Sequence, residues 1–244
     1  MKDYTDKEEL DFILALYAEA DKQIKEVYQE QKDNMDELLK QIASIMLTYT
    51  ILNDLMNLSK TDKKKEYSRL SKIVTAGAQV QGATQTKVIE EMLTSTVNKT
   101  FDFYSYNVGL KDVREIIGNN FAGKHFSSRV WENESEVAKH LHKQVNDFLN
   151  GKVNVNQIKR NIEKTYNASA YNAHRLVETE INRVEDEAFK RFCKETGVKR
   201  VMRNEEIDSR TCEECAGVNE NIYDLADAIG GLHPLCRGYN TIVE

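Results

Sequence analysis

A single proline, Pro234, stands in 244 residues. Proline is the residue that most reliably ends or kinks a helix, so a chain with none before position 234 meets few obligatory stops and tends toward long helices. Its 30% charged and 40% hydrophobic residues belong to a folded, soluble chain rather than a disordered one. The length is enough to bury a core without staples. The expected fold is α+β and predominantly α-helical: long N-terminal helices over 1–84, a central helical domain over 85–196 and a small strand-containing unit over 197–244.

In the first third, apolar residues recur at Leu10, Ile13, Tyr17, Ala20, Ile24 and Val27, then at Met35, Leu38, Ile42, Ile45, Tyr49, Leu52 and Met56. Steps of three and four draw one stripe along a helix. The polar QEQKDN between the series, with Asp33 able to cap, predicts two helices or one interrupted helix, packed as a hairpin or as a coiled coil with a second chain. TAGAQVQGATQ reads as a break because of its glycines, and Phe101, Phe103, Tyr104 and Tyr106 read as core. NESE at 133–136 and NVNQ at 154–157 each place a capping side chain three residues before Glu or Gln. They open one helix on Val137, Leu141, Val145 and Phe148, closed at Gly151, and another on Ile158, Ile162 and Tyr166. A third helix is expected over 167–196, stopped by Gly197. Beyond it VKRVMRN, NIYDL and YNTIV read as strands.

The formal charge of −6 excludes a chain that coats nucleic acid over its whole surface, because such binding rests on clustered Lys and Arg. Contact with DNA would be local. The candidate residues are the cations of 60–72, which otherwise read as a solvated face, and Lys190, Arg191, Lys194, Lys199, Arg200 and Arg203. The opening MKDYTDKEELDF is acidic where a secretory signal is basic and then apolar, and IASIMLTYTIL is too short to span a bilayer. The expectation is a protein made and used inside a cell, with no membrane partner.

Three of the four cysteines fall in one spacing, Cys212-x2-Cys215-x17-His233-x2-Cys236. Two close pairs of soft or borderline donors separated by a loop suit a tetrahedral structural zinc site. The segment is too short for much core of its own, so a metal would stabilise it outright. Pro234 fixes the backbone between His233 and Cys236, and Gly230-Gly231 lets the second pair return to the first. The alternatives are a Cys212–Cys215 disulfide, which a reducing compartment disfavours, and thiols buried without metal. Four candidate ligands argue for a closed site rather than a catalytic one with an open position. Glu213 and Glu214 lie beside them as candidates for a general base but read as solvated, and the order of residues differs from that of the zinc deaminases. Cys193 reads as a small core residue.

Three blocks carry a likeness to a known family. In FAGKHFSSRVWENESEVAKHL, Gly123, Ser127, Arg129 and Trp131 fit Gly-x-x-x-Ser-x-Arg-hydrophobic-Trp; in NAHRLVETEINRVEDEAF, Ala173, Arg175, Thr179 and Glu180 fit a helix ending in Thr-Glu. In DSRTCEEC and LHPLCRG, Asp208, Arg210, Thr211, Cys212, Cys215, His233, Pro234, Cys236 and Arg237 fit Asp-x-Arg-Thr-Cys-x-x-Cys and His-Pro-x-Cys-Arg. Over residues 85–244 the chain resembles the phage Mu protein F-like minor head proteins, also called phage head morphogenesis proteins. It departs from them at Glu178, where an arginine is usual, and at Gly238, where a cysteine often follows Cys-Arg.

The resemblance implies a virion component rather than an enzyme. Such a protein is made in the bacterial host cytoplasm, joins the portal protein at one vertex during procapsid assembly and ends inside the capsid. The scaffold, the major capsid protein and double-stranded DNA are candidate further partners, and a structural Zn2+ is the expected cofactor. Some members carry a toxin or ADP-ribosyltransferase domain after the head domain; none is expected after Cys236 here. Arg210 and Arg237 are expected to pair with carboxylates such as Asp208, and Thr179 and Glu180 to hydrogen-bond to the tail. The competing readings are a DNA-binding zinc-knuckle module and a zinc-dependent hydrolase or nuclease.

Overall fold

The computed structural model describes residues 5–107, 109–209 and 211–243. In chain order it has α1 (Asp6–Gln23), α2 (Lys25–Thr48), β1 (Thr50–Leu52), β2 (Leu55–Asn57), α3 (Lys60–Phe103), α4 (Leu110–Gly118), α5 (Phe126–Leu149) and α6 (Val155–Thr196). The C-terminal part adds β3 (Arg200–Asn204), α7 (Glu213–Val218), β4 (Ile222–Asp224), a 3-10 turn (Leu225–Asp227) and β5 (Tyr239–Val243). The fold is α+β and mostly helical, with its strands concentrated at the C-terminal end. No helix among the described residues is long and apolar enough to cross a membrane.

The elements divide into two compact units, neither contiguous in sequence. One takes the chain up to Ile24, Val88–Phe126 and the chain from His174 on; the other takes Lys25–Lys87 and Ser127–Ala173. Position 84/85, expected as a boundary, lies inside α3, and both α3 and α6 contribute to both units.

Several expected stops are absent, each for a specific reason. QEQKDN runs unbroken through α2, because its side chains serve helix contacts: Gln29 Nε2 donates to Asp33 Oδ1 at 2.8 Å and Gln31 Nε2 to Ser169 Oγ at 2.7 Å. The junction between the first two helices falls instead at Ile24, still right-handed at φ −63 and ψ −14. The glycines of TAGAQVQGATQ lie within α3 as points of close approach; a Cβ on Gly82 would sit 2.5 Å from the Trp131 ring. NESE lies inside α5, which begins at Phe126, and no break separates Tyr166 from Asn167 in α6. With neither glycine nor proline there, cap-forming residues do not halt a helix whose apolar face continues.

Asn154 does cap α6: its Oδ1 accepts from the N–H groups of Asn156 and Gln157, and Gln157 Oε1 accepts from the Asn154 N–H. Gly197 stops the same helix at φ +81. Leu52 and Met56, read as helical, instead lie in the β1–β2 hairpin, whose turn residues Asn53 and Asp54 have φ of 49 and 62. Those are the angles a tight hairpin turn demands.

In the second unit, Leu38, Ile42 and Ile45 of α2 are buried with Leu70, Val74, Val145, Phe148, Ile158 and Ile162. Each such side chain contributes roughly 1.5–3 kcal/mol by leaving water. Glu66 and Glu134 place buried carboxyls in the same unit. Glu134 is 3% exposed, and its Oε1 accepts from Ser169 Oγ at 3.5 Å. Burial pushes its pKa from 4.5 up to about 7 against the smaller lowering effect of Ser169. The folded state therefore holds this proton more tightly than the unfolded chain, so the stability is full below about pH 4.5 and falls as pH rises through about 7. Replacing Glu134 by Gln is expected to raise the unfolding free energy above pH 7 by on the order of 2–3 kcal/mol while leaving it unchanged near pH 4.5. Urea unfolding at the two pH values reads this, and equal gains at both would contradict it.

In the first unit, Phe103 stacks on Phe12 at 4.3 Å and Tyr104 on Phe192 at 4.8 Å, with Phe189 and Cys193 fully buried beside them. The aromatic run at 101–106 is thus core. Burial also raises the Cys193 thiol pKa, to about 12. From Leu176 to Asp186 every residue of α6 is buried, although Glu178, Glu180, Arg183, Glu185 and Asp186 have ionisable side chains. A helix buried on all sides yet rich in charge has to find partners for them, and the C-terminal unit supplies several.

Candidate metal centre

The site begins at a three-stranded antiparallel sheet of order β4-β3-β5, with β3 in the middle. The loop after β3 is tied by Thr211, whose hydroxyl donates to Glu206 O at 2.8 Å and accepts from the Asp208 N–H at 2.9 Å. Cys212 then caps α7, and its Sγ accepts from the Cys215 N–H at 3.4 Å. That hydrogen bond is the leading reason the exposed Cys212 thiol has a lowered pKa, whereas burial raises that of Cys215. The second pair sits on its own turn, closed by Cys236 N–H to His233 O at 3.1 Å, with Pro234 and Leu235 between. Leu235 has φ +67, a left-handed conformation that costs a side-chain-bearing residue about 1–2 kcal/mol.

The turn brings His233 Nε2 to 3.3 Å from Cys212 Sγ and 3.1 Å from Cys215 Sγ, and Cys236 Sγ to 3.8 Å from Cys215 Sγ. Pro234 O lies 2.8 Å from His233 Nδ1. A carbonyl only accepts, so Nδ1 carries the proton and Nε2 turns its lone pair toward the sulfurs. The same hydrogen bond leads in raising the imidazole pKa. Cys212, Cys215 and His233 form one group of donors within 4.8 Å of one another; Glu205, Cys215 and Cys236 form another. Cys215 belongs to both, and the cluster can hold a metal ion. A cleft of about 310 Å³, lined also by Glu206 and Asp208, reaches the donors from outside.

The knot is fastened to one face of α6. Arg237 pairs with Glu178 and lies over the Tyr17 ring at 5.2 Å; Leu235 N–H donates to Thr179 Oγ1 at 3.2 Å. Asn182 Nδ2 donates to Gly238 O at 2.7 Å, and Asn240 Nδ2 to Asp186 Oδ1 at 2.8 Å. Glu178, Asn182 and Asp186 are four residues apart, the spacing of neighbours on a helix face. Gly231 lets the chain come close, since a Cβ there would stand 2.5 Å from Asn182 Oδ1.

Some expected pairings hold and others differ. Arg237 pairs with a carboxylate as expected, that of Glu178; Arg210 lies outside the described residues. Thr179 reaches the tail, while its hydroxyl proton goes to Arg175 O at 2.7 Å. Glu180, fully buried, instead accepts from Arg183 Nε at 2.7 Å. The Arg175 side chain is exposed.

Of the candidate DNA contacts, Lys190 pairs with Asp186 at 2.8 Å and Arg191 with Asp112 at 2.6 Å, while Lys194, Lys199 and Arg200 are exposed. Arg203 is corrected outright: it is 0% exposed and donates to Glu205 Oε1 at 2.8 Å and Cys236 Sγ at 3.3 Å. The signal was available, because strand alternation puts residue 203 on the inward face with Val201. Glu205 was missed for lack of any ligand-like spacing to the cysteines. A Cβ on Gly238 would overlap the Arg203 and Glu205 side chains, so this ion pair needs a glycine there. Comparison of the chain with protein-family models, with curated proteins and with solved structures gives no match.

Proposed function

We propose that this chain is a phage head-morphogenesis protein of the Mu F-like kind, an assembly part rather than an enzyme, whose tail is locked by a structural zinc ion. The observation that carries the reading is the meeting of two separate motif blocks. Thr179 of the Thr-Glu helix accepts from the Leu235 N–H within the His-Pro-x-Cys-Arg ending, and Glu178 beside it, a departure from the family pattern, pairs with Arg237. A motif pair kept for architecture is expected to meet in this way.

Zinc suits the donors by chemistry and size. With bonds of about 2.3 Å to sulfur and 2.0–2.1 Å to nitrogen, a tetrahedral ion sets edges of roughly 3.8 Å between sulfurs and roughly 3.5 Å between sulfur and nitrogen. The sulfur pair at 3.8 Å and the sulfur–nitrogen pairs at 3.1 and 3.3 Å lie close to those edges. Cys212, Cys215, His233 and Cys236 would hold the ion, which when bound supplies cross-linking of the two turns. His233 is oriented for this by Pro234 O, and Thr179 fixes the backbone of the second turn.

In this reading the protein works in the host cytoplasm and then in the virion near the portal vertex, with the portal as its main partner. Duplex DNA ranks behind the portal, because Arg203 is buried and Lys190 and Arg191 are paired with acids. The neighbouring upstream gene should encode a portal protein, and co-expression with that product tests the proposal. The two proteins should co-purify and the chain should enter procapsids; a chain that ignores the portal and stays out of procapsids would contradict it.

A further inference from the structure

Arg203 poses a problem of charge. It lies in the central strand with no exposed surface; its Nη1 has no hydrogen-bond partner among the described residues, and its Nη2 donates to Cys236 Sγ at 3.3 Å. A buried guanidinium is tolerated only where negative charge faces it. Glu205, 4% exposed and tied through its own N–H to Asn219 Oδ1 at 2.8 Å, supplies one such charge. Glu185 and Asp186 of α6, both buried, also interact with the guanidinium through space, and among the described residues the side-chain group that takes a hydrogen bond from it besides Glu205 is the Cys236 sulfur. A divalent ion held by three thiolates and one neutral imidazole leaves one net negative charge, and a thiolate accepts a charge-assisted hydrogen bond far better than a neutral thiol does.

We infer that Arg203 is a positioning residue of the metal site: it aims Cys236 at the ion and offsets the excess thiolate charge, while Glu205 holds the guanidinium in place. The inference rests on the proposed metal centre and goes beyond it. Cys236 is the donor in need of such help. Cys212, Cys215 and His233 lie within 4.8 Å of one another, but Cys236 is grouped with Cys215 and Glu205 instead. Gly238 leaves the space that the Arg203–Glu205 pair occupies.

The test uses the full chain loaded with Co(II), whose thiolate charge-transfer band grows with the number of bound thiolates and whose visible bands report tetrahedral geometry. The unaltered chain should show three thiolates. R203M, similar in length but uncharged, should drop to a two-thiolate band and weaken cobalt binding by about 10–100-fold, the usual cost of losing an outer-shell partner. R203K should keep the third thiolate. A merely structural role for Arg203 would lower all the bands together.

Three-thiolate intensity with unaltered affinity in R203M would overturn the inference, as would loss of the third thiolate in R203K. If R203M loses its helical circular dichroism, R203K decides. Absence of cobalt bands in the unaltered chain would instead overturn the metal centre itself, a separate outcome.

Discussion

Replacing Cys215 by serine is expected to abolish metal binding and to unravel the strands after residue 199. Cys215 is shared by both donor groups, it is 4% exposed, and its sulfur contacts both His233 and Cys236. Serine is a poor zinc ligand and would leave a buried hydroxyl beside two thiols. In small zinc-finger peptides the ion contributes roughly 10–16 kcal/mol at neutral pH. Here the hydrogen bonds to α6 retain part of the tail, so a loss of about 4 kcal/mol is the working figure, equal to the linkage from metal at a thousandfold excess over its Kd. Hydrogen exchange should show β3, β4 and β5 losing protection while the first half of α3 keeps it. Replacing Cys212, exposed and present in one group only, should cost less. Equal metal content and unchanged exchange in C215S would contradict this account.

The second large effect lies away from the cysteines. Arg183 Nε donates to Glu180 Oε2 at 2.7 Å, and its Nη1 donates to Ile116 O at 2.8 Å and to Glu187 Oε1 at 2.9 Å. Glu180 is fully buried, and Ile116 lies in the last turn of α4, where carbonyls lack helical partners. The substitution Arg183→Met should therefore strand a buried carboxylate and leave Ile116 O with the Asn119 N–H, at 3.3 Å, as its remaining partner. The expected loss is about 3–5 kcal/mol, the range for breaking a buried pair on one side. Adding Glu180→Gln to Arg183→Met should recover part of it, because the stranded charge is then gone. The urea midpoints of the single and double variants read both, and a single variant within about 1 kcal/mol of the parent would show that the pair is not needed.

Sequence patterns were informative where local chemistry alone decides. The Asn154 cap, the stop at Gly197 and the three C-terminal strands each rest on a few neighbouring residues, and each stands where expected. The stops wrongly expected at QEQKDN and TAGAQVQGATQ share one cause: polar residues and glycines were read as breaks where tertiary contact gave them other work. Gly82 makes room for Trp131, and Gln31 reaches Ser169. The hairpin at 50–57 hid behind apolar spacing that also fits a helix, although Asn53-Asp54 is a turn signal of the kind that tight hairpins use. At the site, spacing alone singled out the three cysteines and His233, because metal ligands of this kind come in pairs on tight turns. Arg203 was legible as inward-facing from the alternation of β3, but its pairing with Glu205 beside the Cys236 sulfur was not, because no spacing links Glu205 to the cysteines.

Native mass spectrometry of the full chain, purified with zinc supplied and sprayed before and after chelation, bears most directly on the claim that the C-terminal sulfurs and imidazole close around an ion. The expected spectrum carries the mass of one zinc ion per chain, and chelation removes it together with a shift toward the higher charge states of a loosened tail. A chain that flies at its metal-free mass, with the same charge distribution before and after chelation, would contradict the claim.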